Sequence, residues 1–189
     1  YRRVHAVVDD LLNAKNFYIA LVSDDGKRLM FPYSVDAANP QLAERPLGRG
    51  LSEYVLRHGK ALLANKADIR KLVRSGEASS AQAGATATCW LGVPLICGDR
   101  AVGVMDVQSH SEEHRYTPRD LELLTFVSYH IANALERKRS AESLKLANAE
   151  LEQRVIERTS ELAAANRELR EHISVRERME RQLKHETLH

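Results

Sequence analysis

Glycine, proline and aromatic residues are all missing from the last 60 residues of this 189-residue chain. The last glycine is Gly103, the last proline is Pro118 and the last aromatic residue is Tyr129. The 71 residues after Pro118 therefore lack the two residue types on which tight turns depend. Because such a segment does not easily fold back on itself, we predict a compact domain of about 135 residues followed by one long helix.

Cysteine is scarce, and long apolar stretches are absent. Cys89 and Cys97 stand eight residues apart in one predicted strand, too far apart to bond to each other, which excludes a disulfide framework. The longest apolar stretch, residues 90–97, is far shorter than the ~20 residues of a transmembrane helix. We expect a reducing, cytoplasmic environment and no membrane contact here. Because the chain begins at Tyr1, we expect part of a longer protein, which another segment could anchor in a membrane.

An excess of charge of one sign is also absent. The net charge is +2, and residues 136–189 interleave 12 lysines and arginines with 11 glutamates. A balanced pattern of this kind is typical of a solvated helix surface and not of a phosphate-binding stripe. The sequence therefore gives no support for nucleic acid binding.

The front of the chain predicts helices alternating with strands. Residues 24–26 (Asp-Asp-Gly) and 98–99 (Gly-Asp) are hairpin turn signals, and strands joined by hairpins form an antiparallel sheet. Polar stretches at 34–48 and 75–86 are predicted loops. We therefore predict an α+β fold. Helices are predicted over 3–15, 50–59, 67–73 and from Thr117 onward, and strands over 16–22, 28–33, 61–64, 88–97 and 101–109.

Several motifs resemble the GAF domains of bacterial multidomain sensors. In the C-terminal half of that pattern stand residues 91–95 (Leu-Gly-Val-Pro-Leu), 103–107 (Gly-Val-Met-Asp-Val) and 116–124, which begin Tyr-Thr-Pro-Arg-Asp. Residues 17–21, 31–33 and 48–55 resemble the first half. The resemblance implies a GAF-like antiparallel sheet flanked by helices, and we expect residues 1–137 to form this sensory domain.

The resemblance also implies a small-molecule pocket between one face of the sheet and the loops that cover it. Aromatic side chains with polar groups suit a small planar or apolar ligand, although the same residues could simply be core. Strand alternation places Tyr18 and Ala20 on one face, and Phe17 and Ile19 on the other; which face holds the pocket stays open, as do the ligand and any cofactor. The pocket candidates are Tyr18, Phe31, Tyr33, Tyr54, and Cys89 or Trp90.

The tail resembles the signalling helices that connect sensory modules to output domains. The similarity lies in residues 151–162 (Leu-Glu-Gln-Arg-Val-Ile-Glu-Arg-Thr-Ser-Glu-Leu), whereas residues 179–189 are similar to the last turns before a GGDEF diguanylate cyclase domain. We expect residues 138–189 to be a coiled coil leading to such a domain in cyclic-di-GMP signalling. The alternatives are the sensor module of a histidine kinase and a dimerisation module with a degenerate pocket.

A heptad count supports a parallel two-stranded coiled coil, and hence a homodimer. The a positions are 141, 148, 155, 162 and 169, the d positions are 144, 151, 158 and 165, and most of them are apolar. Asn148 at a and Arg158 at d interrupt the seam, and Ile173 falls one residue out of phase. Such a coil either holds two registers and transmits a signal, or is static. The transmission candidates are Leu144, Asn148, Leu151, Val155, Arg158, Leu162, Leu169 and Ile173.

No catalytic or metal site is predicted. Residues 185–189 fit the zinc motif H-E-x-x-H, but the helix around them is charged and no third ligand follows. Both cysteines fall in or beside strands, where a buried inert thiol is expected. Asn65-Lys66 begins a cyclic-nucleotide signature that does not continue, and 48–50 (Gly-Arg-Gly) lacks the third glycine of a phosphate loop. A zinc-dependent or thiol-based enzyme is thus the weaker alternative to a regulatory module.

Overall fold

The structure is a computed structural model that describes residues 1–36, 42–79 and 87–186, with side chains to residue 181. Six strands and four helices alternate along these ranges. They are α1 (Arg2–Leu12), β1 (Phe17–Val22), β2 (Arg28–Val35), β3 (Arg45–Pro46), α2 (Leu51–His58), β4 (Leu62–Asn65), α3 (Lys66–Arg74), β5 (Cys89–Cys97), β6 (Arg100–Ser109) and α4 (Pro118–Glu186).

The six strands form one sheet in the order β3-β2-β1-β6-β5-β4, and every neighbouring pair is antiparallel. β1 and β6 are central, so the first and last long strands of the domain lie side by side. In their register, Tyr18 lies opposite Asp106 and Ile19 lies opposite Met105. The α+β prediction is confirmed.

The predicted turns and caps explain where the elements begin and end. Gly26 (φ +70°) and Gly98 (φ +60°) adopt the left-handed backbone that tight turns require, as the two hairpin signals predict. Gly59 ends α2 in the same conformation and donates its N–H to the carbonyl of Val55. α4 begins with a capping box, because the Thr117 and Asp120 side chains each accept the other's backbone N–H.

Three predicted boundaries need correction. α1 ends at Leu12, three residues before its predicted end, because Asn13 adopts the left-handed backbone (φ +50°) and donates its N–H to the carbonyl of Asp9. β2 continues to Val35, two residues beyond its predicted end, because Tyr33, Ser34 and Val35 pair with β1. The predicted 34–48 loop also contains the short strand β3, which pairs with Arg28 and Leu29 at the sheet edge. Residues 37–41 of that loop, and 80–86 of the second predicted loop, lie outside the described residues.

Each face of the sheet is buried under a different pair of helices. On one face, Phe17, Ile19, Leu91 and other apolar residues pack with α1 and with the first turns of α4, through Leu124, Ile131 and Ala132. On the other face a smaller core joins Trp90 and Val104 to α2 and α3. Burial of both faces explains why β5 has an almost continuous apolar sequence.

The chain forms two compact units, Tyr1–Glu136 and Arg137–His189. The boundary falls within α4, whose continuous helix over Pro118–Glu186 confirms that the tail contains no turn within its described part. None of the helices in the described ranges combines the length and the hydrophobicity needed to cross a lipid bilayer.

Candidate functional site

The sheet face beneath α2 and α3, called here the α2–α3 face, carries an unusual number of buried polar groups. Its residues follow from strand pairing, since directly paired residues point to the same side. They are Tyr18, Ala20, Trp90, Gly92, Val104, Asp106 and Gln108. Asp106 is 3% exposed and Tyr18 is 5% exposed, although both carry groups that water would solvate well.

Asp106 is an almost fully buried acid on a central strand of this face. The Ser52 hydroxyl of α2 donates to its Oδ2 at 3.3 Å, and the Trp90 side chain also hydrogen-bonds to the carboxylate. Burial raises the pKa of Asp106 to about 8, because these partners only partly replace the lost water. Near neutral pH this carboxyl group is therefore mainly protonated and can itself donate a hydrogen bond.

Glu53 is a second buried acid, but it is neutralised. Both carboxylate oxygens accept hydrogen bonds from the Arg45 guanidinium, and the backbone N–H of Gly48 donates to Oε1 at 3.1 Å. Burial opposes ionisation, yet these donors lower the pKa of Glu53 below its ordinary value. These contacts connect β3 and the loop after it to α2.

A third polar group lies at the far end of the same face. The Tyr18 hydroxyl donates to the carboxylate of Asp36, and the Gln108 side-chain amide donates to the same carboxylate at 3.0 Å and to the Tyr18 oxygen at 2.8 Å. His110 Nε2 lies 3.7 Å from the other oxygen of Asp36. Burial and the nearby Asp36 raise the pKa of Tyr18, so its phenol stays protonated.

These buried groups can bind a ligand by hydrogen bonding. Asp106 contacts a serine hydroxyl but no histidine lies between them, which a hydrolytic triad requires. Among the described residues, no group of three or more histidines, cysteines, aspartates or glutamates could hold a metal ion.

Comparison with known families gives the domain its identity. The family model described as "GAF domain" matches residues 1–136, which is most of the chain.

The chain belongs to the GAF domain family.

This GAF domain is similar to part of a histidine kinase and, in fold, to several solved structures. A 76-residue stretch is 37% identical to the circadian input-output histidine kinase CikA of Thermosynechococcus vestitus, and it covers 40% of this chain and 10% of that kinase. The second GAF domain of DevS from Mycobacterium smegmatis has a TM-score of 0.59 and 18% identity, covering 76% of this chain and 96% of that one.

Free methionine-R-sulfoxide reductase from Neisseria meningitidis, solved with its substrate, has a TM-score of 0.56 and 20% identity, covering 74% of this chain and 77% of the reductase. Likeness at this level concerns the fold alone. Because an enzyme shares it, the GAF fold by itself does not separate a sensor from an enzyme.

The six pocket candidates do not converge in this GAF domain. Tyr18 and Trp90 lie on the α2–α3 face, whereas Cys89 belongs to the core on the opposite face, as strand alternation requires of neighbours. Tyr33 is also on that opposite face, where its hydroxyl lies 3.0 Å from His5 of α1 and its ring packs edge-on against Phe17. Cys89 therefore lies within a helix-packed core, whereas Tyr33 packs against that core and also lines, together with Phe31, a cavity of about 640 Å³ beside β2.

The remaining two candidates lie at the margin of the α2–α3 face. The ring of Phe31 lies under the Arg45 guanidinium, 5.7 Å from the ring centre. Tyr54 of α2 stacks on His58 one turn later, with ring centres 4.1 Å apart. Both side chains are partly exposed, so they flank the buried polar groups rather than enclose them.

Sequence reasoning missed the polar residues that give the α2–α3 face its character: Ser52, Asp106, Gln108 and Asp36. One signal was available. β6 is apolar through Val102, Val104 and Met105, and a lone acid such as Asp106 in a central strand marks a buried polar site. No such signal marks Asp36 or Ser52, since only the tertiary fold brings them to the face.

Two of the three weaker motifs of the sequence have structural roles. In residues 48–50, the Gly-Arg-Gly motif, the Gly48 N–H does not face a free anion. It donates to the carboxylate of Glu53. Asn65 caps α3 by accepting the N–H groups of Ala67 and Asp68 at 2.8 and 3.1 Å. The side chains of residues 185–189 lie outside the described residues.

Both thiols belong to the face that α1 and α4 cover. Cys89 is buried, and burial raises the pKa of its thiol, which keeps it protonated and unreactive. Cys97 is half-buried, and its thiol donates to the carbonyl of Ala132 at 3.4 Å.

The transmission candidates all lie on α4 in the unit Arg137–His189. Their apolar members are exposed within the single chain, for example Leu151 at 61% and Leu162 at 66%. Arg158 forms an ion pair with Glu161 at 3.0 Å along the same helix. The structure describes no partner for this surface.

Proposed function

We propose that this chain is a regulatory input module. A GAF domain senses a small molecule or a conformational signal, and a dimeric coiled coil formed by the tail passes that signal to an output domain elsewhere in the longer protein. The module has no chemistry of its own. The family supports the sensory part, and the buried hydrogen-bonding groups of the α2–α3 face offer a place where a ligand would act.

The observation that carries the dimer is the apolar stripe of the tail. Leu144, Leu151, Val155 and Leu162 recur at a and d spacing on a helix that leaves each of them more than half exposed. Large apolar side chains at regular spacing are rarely left in water. A second copy of the same helix, in parallel and in register, would bury all of them together.

The interruptions of this stripe would make the coil responsive rather than rigid. Asn148 at an a position fixes register at a cost in stability, and Arg158 at a d position is held by Glu161 instead of packing. Ile173 then shifts the apolar phase by one residue. A coil with such layers has two arrangements of similar energy, which a change in the sensory domain can favour unequally.

Two kinds of output domain fit this module. Similarity to the histidine kinase CikA over 76 residues favours a kinase. Residues 179–189 favour a diguanylate cyclase in cyclic-di-GMP signalling, because they are similar to the turns before that domain. Sequencing the next ~60 residues of the natural gene product would distinguish the two, since either domain would show its motifs there.

The test is the mass of the 189-residue chain in solution, by light scattering after size-exclusion chromatography. We expect a dimer. Replacing Leu144 and Leu151 together by lysine should give a monomer, because four charges would enter the apolar seam. The matched control replaces Leu146 and Ile156, which are as exposed in the single chain but lie at f and b positions.

The control should stay dimeric. If both double variants keep the wild-type mass, the tail is not the dimer seam and the transmission proposal fails. The proposal also fails if the wild-type chain is a monomer at roughly 0.1 mM, which is about 100 times a typical micromolar Kd.

A further inference from the structure

A cleft of about 320 Å³ lies at the end of the sheet where the β1–β2 hairpin, the start of β6 and α2 meet. It is separate from the buried polar groups around Asp106, Tyr18 and Asp36. We call it the hairpin cleft. Its lining combines apolar side chains with charged ones: Val22, Leu47, Leu56, Glu53, Arg57 and Arg100.

The apolar part of the cleft can hold a small hydrocarbon group. Val22 belongs to the end of β1, Leu47 follows β3, and Leu56 belongs to the last turns of α2. A volume of about 320 Å³ is at the lower end of what binds a small organic ligand. The ligand therefore has a short apolar body.

The charged part carries one cation in excess. Glu53 is already neutralised by Arg45 and by the Gly48 N–H. Arg57 donates to the carbonyl of Glu77 at 2.7 Å and lies 3.7 Å from its carboxylate. The charged residues of the lining are Glu53, Arg57 and Arg100, and since Glu53 pairs with Arg45 and Arg57 pairs with Glu77, one positive charge is left.

That charge belongs to Arg100. Within the described ranges no hydrogen bond or ion pair engages its guanidinium, although it is held near the hairpin: Nη2 would lie 3.8 Å from a Cβ built on Gly26. Of the two acids of the hairpin, Asp24 and Asp25, the second accepts the Ser23 hydroxyl at 2.5 Å and the Lys27 N–H at 3.1 Å, and within the described ranges no ion pair joins it to Arg100. A guanidinium of this kind matches a carboxylate with two parallel hydrogen bonds.

We propose that the hairpin cleft binds a small organic monoanion, a carboxylate with a short apolar body. Arg100 binds the carboxylate, Arg57 at the rim adds a second favourable charge, and Val22, Leu47 and Leu56 cover the apolar part. This site is independent of the tail, so it stands whether or not the chain is a dimer.

The test uses the full ¹⁵N-labelled chain and 4-phenylbutyrate, with the uncharged 4-phenylbutan-1-ol as the matched probe. We expect the butyrate to shift the amide resonances of Gly26, Leu56 and Ala101 with a Kd of roughly 1 mM or below, and the alcohol to bind at least about tenfold more weakly. No saturating shift at these amides, or equal binding of the alcohol, would overturn the proposal.

Variants separate the role of Arg100 from general surface charge. Arg100→Gln should weaken butyrate binding about tenfold, because a charge-assisted hydrogen bond is lost. The control, Arg70→Gln, removes an exposed arginine of α3 that does not line the cleft, and it should leave the Kd unchanged. Equal effects of the two substitutions would mean that the cleft binds no anion specifically.

Discussion

The indole of Trp90 lies against Gly92, two residues further along the same strand. A Cβ built on Gly92 would lie 2.1 Å from Cη2 and 2.7 Å from Cζ2 and Cζ3 of the ring, far inside van der Waals contact. Glycine at this position is therefore what allows the indole to lie flat on the α2–α3 face. From there it hydrogen-bonds to Asp106 and packs beneath α2 and α3.

Gly92→Ala should destabilise the GAF domain, because the added methyl group forces Trp90 away from Asp106 and from the core. We expect a loss of about 2 kcal/mol in the free energy of unfolding, measured by urea denaturation. In a Trp90→Leu background the same Gly92→Ala change should cost much less, since no ring is left to displace. Equal costs in both backgrounds would contradict this packing.

Asp106 should make the domain less stable as pH rises. The folded state holds its proton to about pH 8, whereas an unfolded aspartate loses it near pH 4, so between these values the folded state binds more protons. The free energy of unfolding therefore falls over this window, by up to about 5 kcal/mol from this group.

Asp106→Asn should remove this fall, because asparagine resembles the protonated acid. The free energy of unfolding, measured in urea at pH 5 and at pH 8, should be higher for the variant than for the wild type. The difference between the two proteins should be small at pH 5 and large at pH 8. If the two proteins show the same pH dependence, the carboxyl group does not titrate in this window.

Ionised Glu53 should stabilise the domain, and this stabilisation should be lost at low pH. Its pKa is lowered by Arg45 and the Gly48 N–H, so its contribution is complete above pH ~4.3 and is lost as the pH falls through the folded pKa. Glu53→Gln should cost about 2–3 kcal/mol at pH 7 in urea unfolding, since the half-buried Arg45 loses its partner.

The ion pair of Arg28 with Glu44 is the matched control for Glu53. Both of its side chains are well exposed, and exposed pairs contribute little. Glu44→Gln should therefore change the free energy of unfolding by less than about 1 kcal/mol. A Glu53→Gln variant no less stable than Glu44→Gln would refute the structural role of the buried pair.

Arg158→Leu should strengthen the proposed tail dimer, because it replaces a charge at a d position by the residue that packs best there. We expect the dimer Kd, measured by sedimentation, to fall about tenfold. Arg167→Leu makes the same chemical change at an f position and should leave the Kd as it is. A weaker dimer in Arg158→Leu would show that residue 158 does not face the seam.

Local signals in the sequence predicted most of the fold. Gly26, Gly59 and Thr117 predicted a turn, a helix end and a helix start through backbone preferences that act within a few residues. The long helix followed from the absence of Gly and Pro. The short strand β3 was not predictable, since Arg45 and Pro46 become a strand only by pairing with the edge of β2.

The candidate site was predicted less well, for a physical reason. Strand alternation shows which residues share a face, but not which face the helices leave to a ligand. Alternation also fails at the irregular pairing between Ile19 and Leu21, so that Phe31 contacts Arg45 while Tyr33 packs towards α1. The polar partners Ser52 and Asp106 are 54 residues apart in sequence and meet only in the folded domain.

The central claim, a parallel and in-register tail dimer, is tested most directly by disulfide cross-linking. In a background with Cys89 and Cys97 replaced by alanine, single cysteines would be introduced at Leu144, Leu151 and Leu162, with Leu146 as the outward-facing control. The account predicts that the first three each form a cross-linked dimer under mild oxidation and that the control does not. An antiparallel pair would cross-link at no more than one of the three positions, and equal cross-linking at residue 146 would contradict the proposed seam.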